Sequence, residues 1–305
     1  MRAMKSRLHR ILRGVLETGQ RFKVDISPRH YYSEMPDFRA MRRTTSWRKP
    51  MSMVGVRGTA LGPQAAFFSD CCASCREQLG TFAIHEEACR SNGAQGYGPV
   101  EGLFLYAFIR RHKPARVVQI GCGVSTAIIL RAVKDGALAT KVICIEPFPT
   151  DYLKERHRAG EISLIQAMAQ DVDVTSMTDL GAGDLLFIDS THTVRVGSEV
   201  PRIMHEVLPR LAPGVWVHFH DIYFPFDYGP PFMTDLFFGR ESTMLHAFLT
   251  MNSGYEIAVS QSMLHHGNGA AIKEAIPVYA PQPMADGLSA GPGNFPSAIY
   301  LRRTA

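Results

Sequence analysis

The chain has 305 residues, 46% of them hydrophobic, and a formal net charge of +5. That is ample material for a sizeable core, as one large domain or a domain with a long extension. The mild basic excess, without a recognisable nucleic-acid module, argues against a nucleic-acid partner, and no run reaches the ~18–20 uninterrupted apolar residues of a membrane span.

Residues 1–24 place Leu8, Ile11, Leu12, Val15 and Leu16 on one helical face among Arg2, Lys5, Arg7, Arg10 and Arg13. An amphipathic helix packed on the domain or on a second subunit is expected, and a membrane-surface or transit-like helix is the alternative. No apolar segment with a small-residue cleavage site follows, so a secretory signal is not expected. Residues 25–97 lack sustained periodicity. Prolines 28, 36, 50 and 63 punctuate them, and Arg39, Arg42, Arg43, Arg48 and Lys49 make a basic run that reads as a solvated face. With a helix near Pro63–Gly80, residues 1–97 form an expected accessory or lid segment.

Six cysteines stand at 71, 72, 75, 89, 122 and 144. Cys72-x-x-Cys75 could bind zinc or do redox work, but no second such pair follows at zinc-ribbon spacing and no βαβ unit flanks it. Free thiols in a reducing cytoplasm are the expectation.

From Gly98 the pattern tightens into residues 98–305, the expected catalytic domain. A helix over Val100–Phe108 ends near Pro114. Strands are predicted at Arg116–Ile120, Lys141–Ile145, Glu161–Gln166, Asp184–Ile188, Val215–Phe219 and Tyr255–Val259, with a last one at Ser297–Arg302. Helices are predicted after Thr126, ending at Gly136, at Asp151–Arg158, through Val200–Leu211 with Ser198 as a candidate N-cap, and at Glu241–Met251. Strands alternating with helices predict an α/β, Rossmann-like, mostly parallel seven-stranded sheet. A Gly/Pro-rich loop without a helical crossover should bring the last strand in antiparallel.

Gly121 and Gly123 follow the first of these strands, where glycines let a ligand approach the backbone. The dinucleotide fingerprint wants glycine or alanine at position 126, which is Thr, so an NAD-dependent oxidoreductase is disfavoured. Glu146 lies roughly 20 residues on, where a carboxylate can accept both ribose hydroxyls. Asp189 ends one strand and His220-Asp221 the next. Asp189, His220 and Asp221 together could hold a divalent cation such as Mg²⁺ or Mn²⁺. His192 is on the loop after Asp189. His218 alternates with His220, so one of the two is expected to face the core. The aromatics of Ile222–Gly239, among them Tyr223, Phe226, Phe237 and Phe238, suit an apolar acceptor wall.

These motifs resemble class I S-adenosylmethionine-dependent methyltransferases, most closely the bacterial Methyltransf_24 type, with a core similar to catechol-type O-methyltransferases. Gln119-Ile-Gly-Cys-Gly-Val-Ser-Thr126 resembles motif I, and Ile145-Glu-Pro147 the ribose-binding acid motif. Ala169-Gln170-Asp171 looks like the loop bordering adenine, and the antiparallel last strand is that family's hallmark. Within Val24–Gly62, His30-Tyr-Tyr-Ser-Glu34 and Arg42-Arg-Thr-Thr-Ser-Trp47 are similar to the bacterial group as well. The resemblance implies S-adenosylmethionine as cofactor, contacted by Gln119, Gly121, Gly123, Ser125, Thr126, Glu146, Gln170, Asp171 and Asp189. Catalysis is expected from His192, Asp189 and His220, with His192 as general base by its offset from Asp189 and its near-neutral imidazole, and His220 as its competitor. Two departures stand out. Gln119 replaces an acid that many methyltransferases carry. His220-Asp221 stands where catechol-type enzymes hold Mg²⁺ with Asp-Asn, and His192 where they place a lysine. The expected reaction is methyl transfer to a hydroxyl of a small molecule or sugar; a non-catalytic cofactor-binding protein is the alternative. A homo-oligomer is compatible with the chain.

Overall fold

The structure is a computed structural model that describes residues 2–229, 232–233, 239–281 and 295–304. The chain divides into two compact units, Met1–Trp47 and Arg48–Ala305. In the first, the amphipathic stretch forms helix α1 (Arg2–Arg21), and a short α2 (Phe38–Met41) is N-capped by Asp37, which accepts from the Ala40 amide at 3.0 Å. Ile11, Val15, Phe22, Val24 and Ile26 are exposed. No described helix is long and apolar enough to cross a membrane.

The second unit opens with three helices, α3 (Leu61–Cys72), α4 (Ala83–Asn92) and α5 (Pro99–His112). The expected helix near Pro63–Gly80 is therefore α3 followed by two short 3-10 turns. Helix α4 escapes the periodicity because it buries only Ile84 and Ala88. Seven strands follow: β1 (Arg116–Ile120), β2 (Lys141–Ile145), β3 (Ser163–Ile165), β4 (Leu185–Ile188), β5 (Trp216–Phe219), β6 (Tyr255–Ser260) and β7 (Ile299–Arg303). Between them lie α6 (Val124–Asp135), α7 (Asp151–Arg158), α8 (Thr175–Thr178), α9 (Glu199–Arg202), α10 (Glu241–Leu249) and α11 (Gln261–Ala275). The sheet runs β3-β2-β1-β4-β5-β7-β6, parallel except for β7, which is antiparallel to both neighbours. The antiparallel last strand is as expected, but the missing crossover is not: α11 precedes it. Gly267 and Gly269 flank a non-helical Asn268 (φ −156°, ψ 53°), and this kink hides the helix in the sequence.

Strand side chains alternate between two cores, one on each sheet face. Val117, Cys144, Leu185, Phe187, Trp216 and Tyr300 pack on one; Val118, Ile120, Leu186, Ile188, Val217 and Phe219 on the other. The central strands are thus apolar on both faces, as a parallel sheet requires. His218 falls on the first face, fully buried, with its Nε2 2.9 Å from the Tyr97 hydroxyl. The register aligns Ile120, Ile188 and Phe219 across β1, β4 and β5, so Gly121, Asp189 and His220 leave the sheet side by side. Between β1 and β4 the strand order reverses, which is where α/β sheets bind ligands.

Cys71, Cys72 and Cys75 are free thiols buried in the first core. Burial, and then the Asp70 charge, pushes the Cys71 thiol up to about 12. Beside it His112 packs on Phe67, Phe108 and Trp216. Burial, with Arg111 nearby, lowers His112 to about 4. An unfolded histidine titrates near 6.5, so the unfolded chain takes up this proton first and stability falls as pH drops from about 6.5 towards 4. His112→Phe keeps the aromatic packing and removes the titration. Its melting temperature is expected to fall less than the wild type's over that pH interval; equal slopes would dismiss the assignment.

Candidate active site

Gly121 continues β1 into a turn. Its φ of +81° is left-handed, and a Cβ there would lie 1.8 Å from the Asp189 carbonyl oxygen, so only glycine fits. The turn is pinned by the Gly121 amide donating to the Ile145 carbonyl at 3.1 Å. Gly123 then caps α6. Its amide donates to Thr126 Oγ1 at 3.1 Å, so the residue in place of the third fingerprint glycine holds the turn. Glu146, just past β2, uses both oxygens as struts: Oε2 accepts from the Cys122 amide at 3.1 Å and Oε1 from the Phe148 amide at 2.9 Å. Each oxygen keeps lone-pair capacity for a further donor.

A cleft of about 170 Å³ opens over this turn, lined by Gly121–Ser125, Glu146, Asp189, Asn92 and Gln95–Tyr97. A larger cavity of about 770 Å³, between Glu87, Arg131 and Tyr152, contains none of the strand-end residues and offers no comparable chemistry. Of the expected cofactor contacts, Gly121, Gly123, Ser125, Glu146 and Asp189 line the cleft. Gln119 and Thr126 do not: Gln119 is fully buried beneath the turn and donates to Ser125 Oγ at 3.3 Å. Gln170 and Asp171 sit in a 3-10 turn apart from the lining, with Arg202 donating to the Ala169 and Gln170 carbonyls. The Asn92–Tyr97 wall belongs to the α4–α5 connection, where no motif marks it.

Asp189 is shared between this cleft and a second cluster. Its Oδ1 lies 3.0 Å from His220 Nδ1 and 3.3 Å from His192 Nε2. The outer nitrogens of both rings meet buried glutamates: His192 Nδ1 lies 2.8 Å from Glu241 Oε2, and His220 Nε2 lies 3.2 Å from Glu101 Oε2. Glu101 Oε1 also accepts from the Ser297 amide at 2.6 Å and hydroxyl at 2.9 Å. Asp189, His192 and His220 have donor atoms all within 4.8 Å of one another. Asp221, expected among the ligands, lies outside this trio. Its Oδ2 is 3.7 Å from His192 Nε2 and 3.8 Å from His220 Nδ1, while Oδ1 accepts from Ser297 Oγ at 3.0 Å. His192 takes its place because its loop is tied down at both ends. The His192 carbonyl accepts from the Arg240 amide at 2.9 Å, and Glu199 accepts from the Thr191 amide and hydroxyl.

The electrostatics follow from burial among carboxylates. Burial opposes charge on His192, yet its hydrogen bonds to Asp189 and Glu241 raise it to about 10. His220 is raised well above its ordinary value against the same penalty, chiefly by Asp221 and Asp189. Burial would raise Asp189, but the His220 charge holds it well below the carboxylate range. His192 (φ +56°) and Asp221 (φ +54°) both adopt the left-handed region, which costs non-glycine residues on the order of 1–3 kcal/mol and collects at functional sites.

Residues 118–222 match the family model Methyltransf_24, described as a methyltransferase domain. Over those residues the chain is similar to a methyltransferase domain. A protein of Archaeoglobus fulgidus is 33% identical over 90 residues, 28% of this chain and 39% of that protein's length. Among solved structures, an SAH-bound methyltransferase from Podospora anserina is 15% identical, with 73% of this chain and 88% of that one covered and a TM-score of 0.44. A 1,6-didemethyltoxoflavin-N1-methyltransferase from Burkholderia thailandensis is 14% identical, with 80% and 89% covered and a TM-score of 0.37. The methyltransferase motifs found in the sequence, Gly121 through Asp221, fall inside the matched segment.

In the segment after β5, Tyr223 packs near Phe295 and Phe226 against His266, with Tyr228 near Phe232. Ile222 and Phe224 are fully buried and serve the core. Phe237 and Phe238 lie outside the described residues. Glu101 and Glu241 are the functional candidates that sequence reasoning missed. The only signal for Glu101 was a carboxylate set in the apolar run Val100–Phe108; Glu241 reads as an ordinary first-turn acid.

Proposed function

We propose that the chain transfers a methyl group from S-adenosylmethionine to a hydroxyl of a small molecule or sugar, in a reducing cytoplasmic setting that suits its free thiols. One observation carries this: Asp189 lines the cleft that holds Glu146 and the glycine turn, and also anchors the His192–His220 cluster. Cofactor and acceptor chemistry thereby meet at one carboxylate. Glu146 accepts the ribose hydroxyls, Gly121–Ser125 pass beneath the cofactor, and Gln119 and Thr126 support the turn from below. Gln170 and Asp171 border the adenine end. Tyr223, Phe226 and Tyr228 form the acceptor wall.

Methyl transfer is an in-line displacement at the sulfonium methyl, so the acceptor oxygen must shed its proton as it attacks. His192 Nε2 takes that proton, and Asp189 and Glu241 orient the ring, with His220 on the far side of Asp189. In metal-free protein the raised His192 pKa leaves little free base at neutral pH, so the rate rises with pH towards 10. The donor set fits a divalent cation, which Asp189 and His220 would hold with either His192 or Asp221 and which would supply Lewis acidity towards the acceptor hydroxyl.

Acceptor screening with S-adenosylmethionine, read as S-adenosylhomocysteine formed, tests the reading. Glu146→Ala is expected to weaken cofactor binding by about 1.5–3 kcal/mol through loss of charge-assisted hydrogen bonds. Unchanged affinity would remove Glu146 from the ribose site.

A further inference from the structure

We propose that Asp189, His192 and His220 form a two-histidine, one-carboxylate centre for a divalent first-row transition metal, with Glu241 and Glu101 orienting the two imidazoles from outside. This rests on reading the ends of β4 and β5 as the acceptor side of the site, and it differs from the Mg²⁺ or Mn²⁺ site of Asp189, His220 and Asp221 that the sequence suggests by placing His192 among the ligands instead of Asp221 and by favouring nitrogen-seeking metals over Mg²⁺.

The spacing supports it. Ligands about 2.0–2.2 Å from a common ion, at angles of roughly 90–109°, stand about 2.8–3.6 Å apart. The Asp189 oxygen is 3.0 Å from one imidazole nitrogen and 3.3 Å from the other. The outer contacts support it independently. A metal-bound histidine presents one nitrogen to the ion and gives the other N–H to a carboxylate, which fixes its tautomer and ring angle. Both rings have this arrangement, on different loops: His192 through Nδ1 to Glu241, His220 through Nε2 to Glu101. Both glutamates are almost fully buried, and Glu241 Oε1 is buried with no hydrogen-bond partner among the described residues. Holding two carboxylates there is costly unless they face positive charge, which the imidazoles supply when protonated and an ion bound on their inner nitrogens would supply when they are not. The donor types select the metal: imidazole suits zinc, iron and their neighbours, whereas Mg²⁺ prefers oxygen and water. His192 then joins the ligand set, and its role as base belongs to the metal-free protein.

The full chain, stripped by chelation and dialysed, would be titrated with Zn²⁺, Co²⁺ and Mg²⁺ in turn. Readouts are bound metal per chain, the visible absorption of the Co²⁺ form, and melting temperature. One Zn²⁺ or Co²⁺ per chain is expected, with Mg²⁺ far weaker. Glu241→Gln and Glu101→Gln should each weaken binding by about 10–100-fold, and His192→Ala and His220→Ala should abolish it. Wild-type protein that takes up neither Zn²⁺ nor Co²⁺ stoichiometrically, or that prefers Mg²⁺, would overturn the proposal whether or not any variant folds. So would undiminished binding in both histidine variants, and unchanged affinity in both glutamine variants would remove the outer pair. S-adenosylmethionine calorimetry on the same samples separates the readings. Metal bound without cofactor defeats methyl transfer alone, and cofactor bound without metal defeats this centre alone.

Discussion

In the metal-free protein His192→Ala is expected to lower kcat by about 10²–10⁴-fold, the usual worth of a positioned acid–base group, while leaving S-adenosylmethionine affinity nearly unchanged. The ring joins Asp189, Asp221 and Glu241, so its loss removes the group nearest the acceptor's proton and leaves three carboxylates facing one another. The proposed ribose contacts lie at Glu146, on a different strand end, which is why affinity should hold. His192→Gln supplies a hydrogen-bonding side chain that cannot take up a proton. It should recover stability lost in the alanine variant but not the rate. Near-normal kcat in His192→Ala, with an inactive His220→Ala, would move the role to His220. Activity in both would mean that the acceptor ionises unaided.

Gly121→Ala should destabilise the fold by about 3–5 kcal/mol and abolish cofactor binding, an effect that belongs to backbone strain and overpacking. The left-handed φ costs an alanine roughly 1–2 kcal/mol. The larger part is steric, because the new Cβ would stand 1.8 Å from the Asp189 carbonyl oxygen and 2.7 Å from its carbon. The contact is with backbone, so no rotamer change relieves it; the loop carrying Asp189 must move instead. Chemical denaturation checks the prediction, and a loss under about 1 kcal/mol would contradict this account of the turn.

What could be read from the residues was whatever local patterning dictates. The runs Val117–Ile120 and Leu185–Ile188 are apolar on both faces because parallel strands are buried on both. Their ends located Gly121, Asp189 and His220 correctly, since register places the residues after aligned strands together. Helix α11 was hidden by Gly267, Asn268 and Gly269, which read as a loop and are in fact a kink. Thr126 argued against a dinucleotide turn, but its hydroxyl's grip on the Gly123 amide was a matter of geometry. Glu101 and Glu241 were illegible for another reason. Each is an unremarked helix acid until tertiary packing sets it against a histidine 119 or 49 residues away. The ligand trio likewise depended on the loop after β4 being tethered to the start of α10, which fixes where His192 points.

The cleft over Gly121 and Glu146 is the proposed S-adenosylmethionine site. Titration calorimetry of the full chain with S-adenosylmethionine, S-adenosylhomocysteine and NAD tests it most directly. The expected result is one site per chain with micromolar affinity for the two adenosyl compounds, weakened in Glu146→Ala, and no heat from NAD. Tight NAD binding with no response to either adenosyl compound would contradict the account.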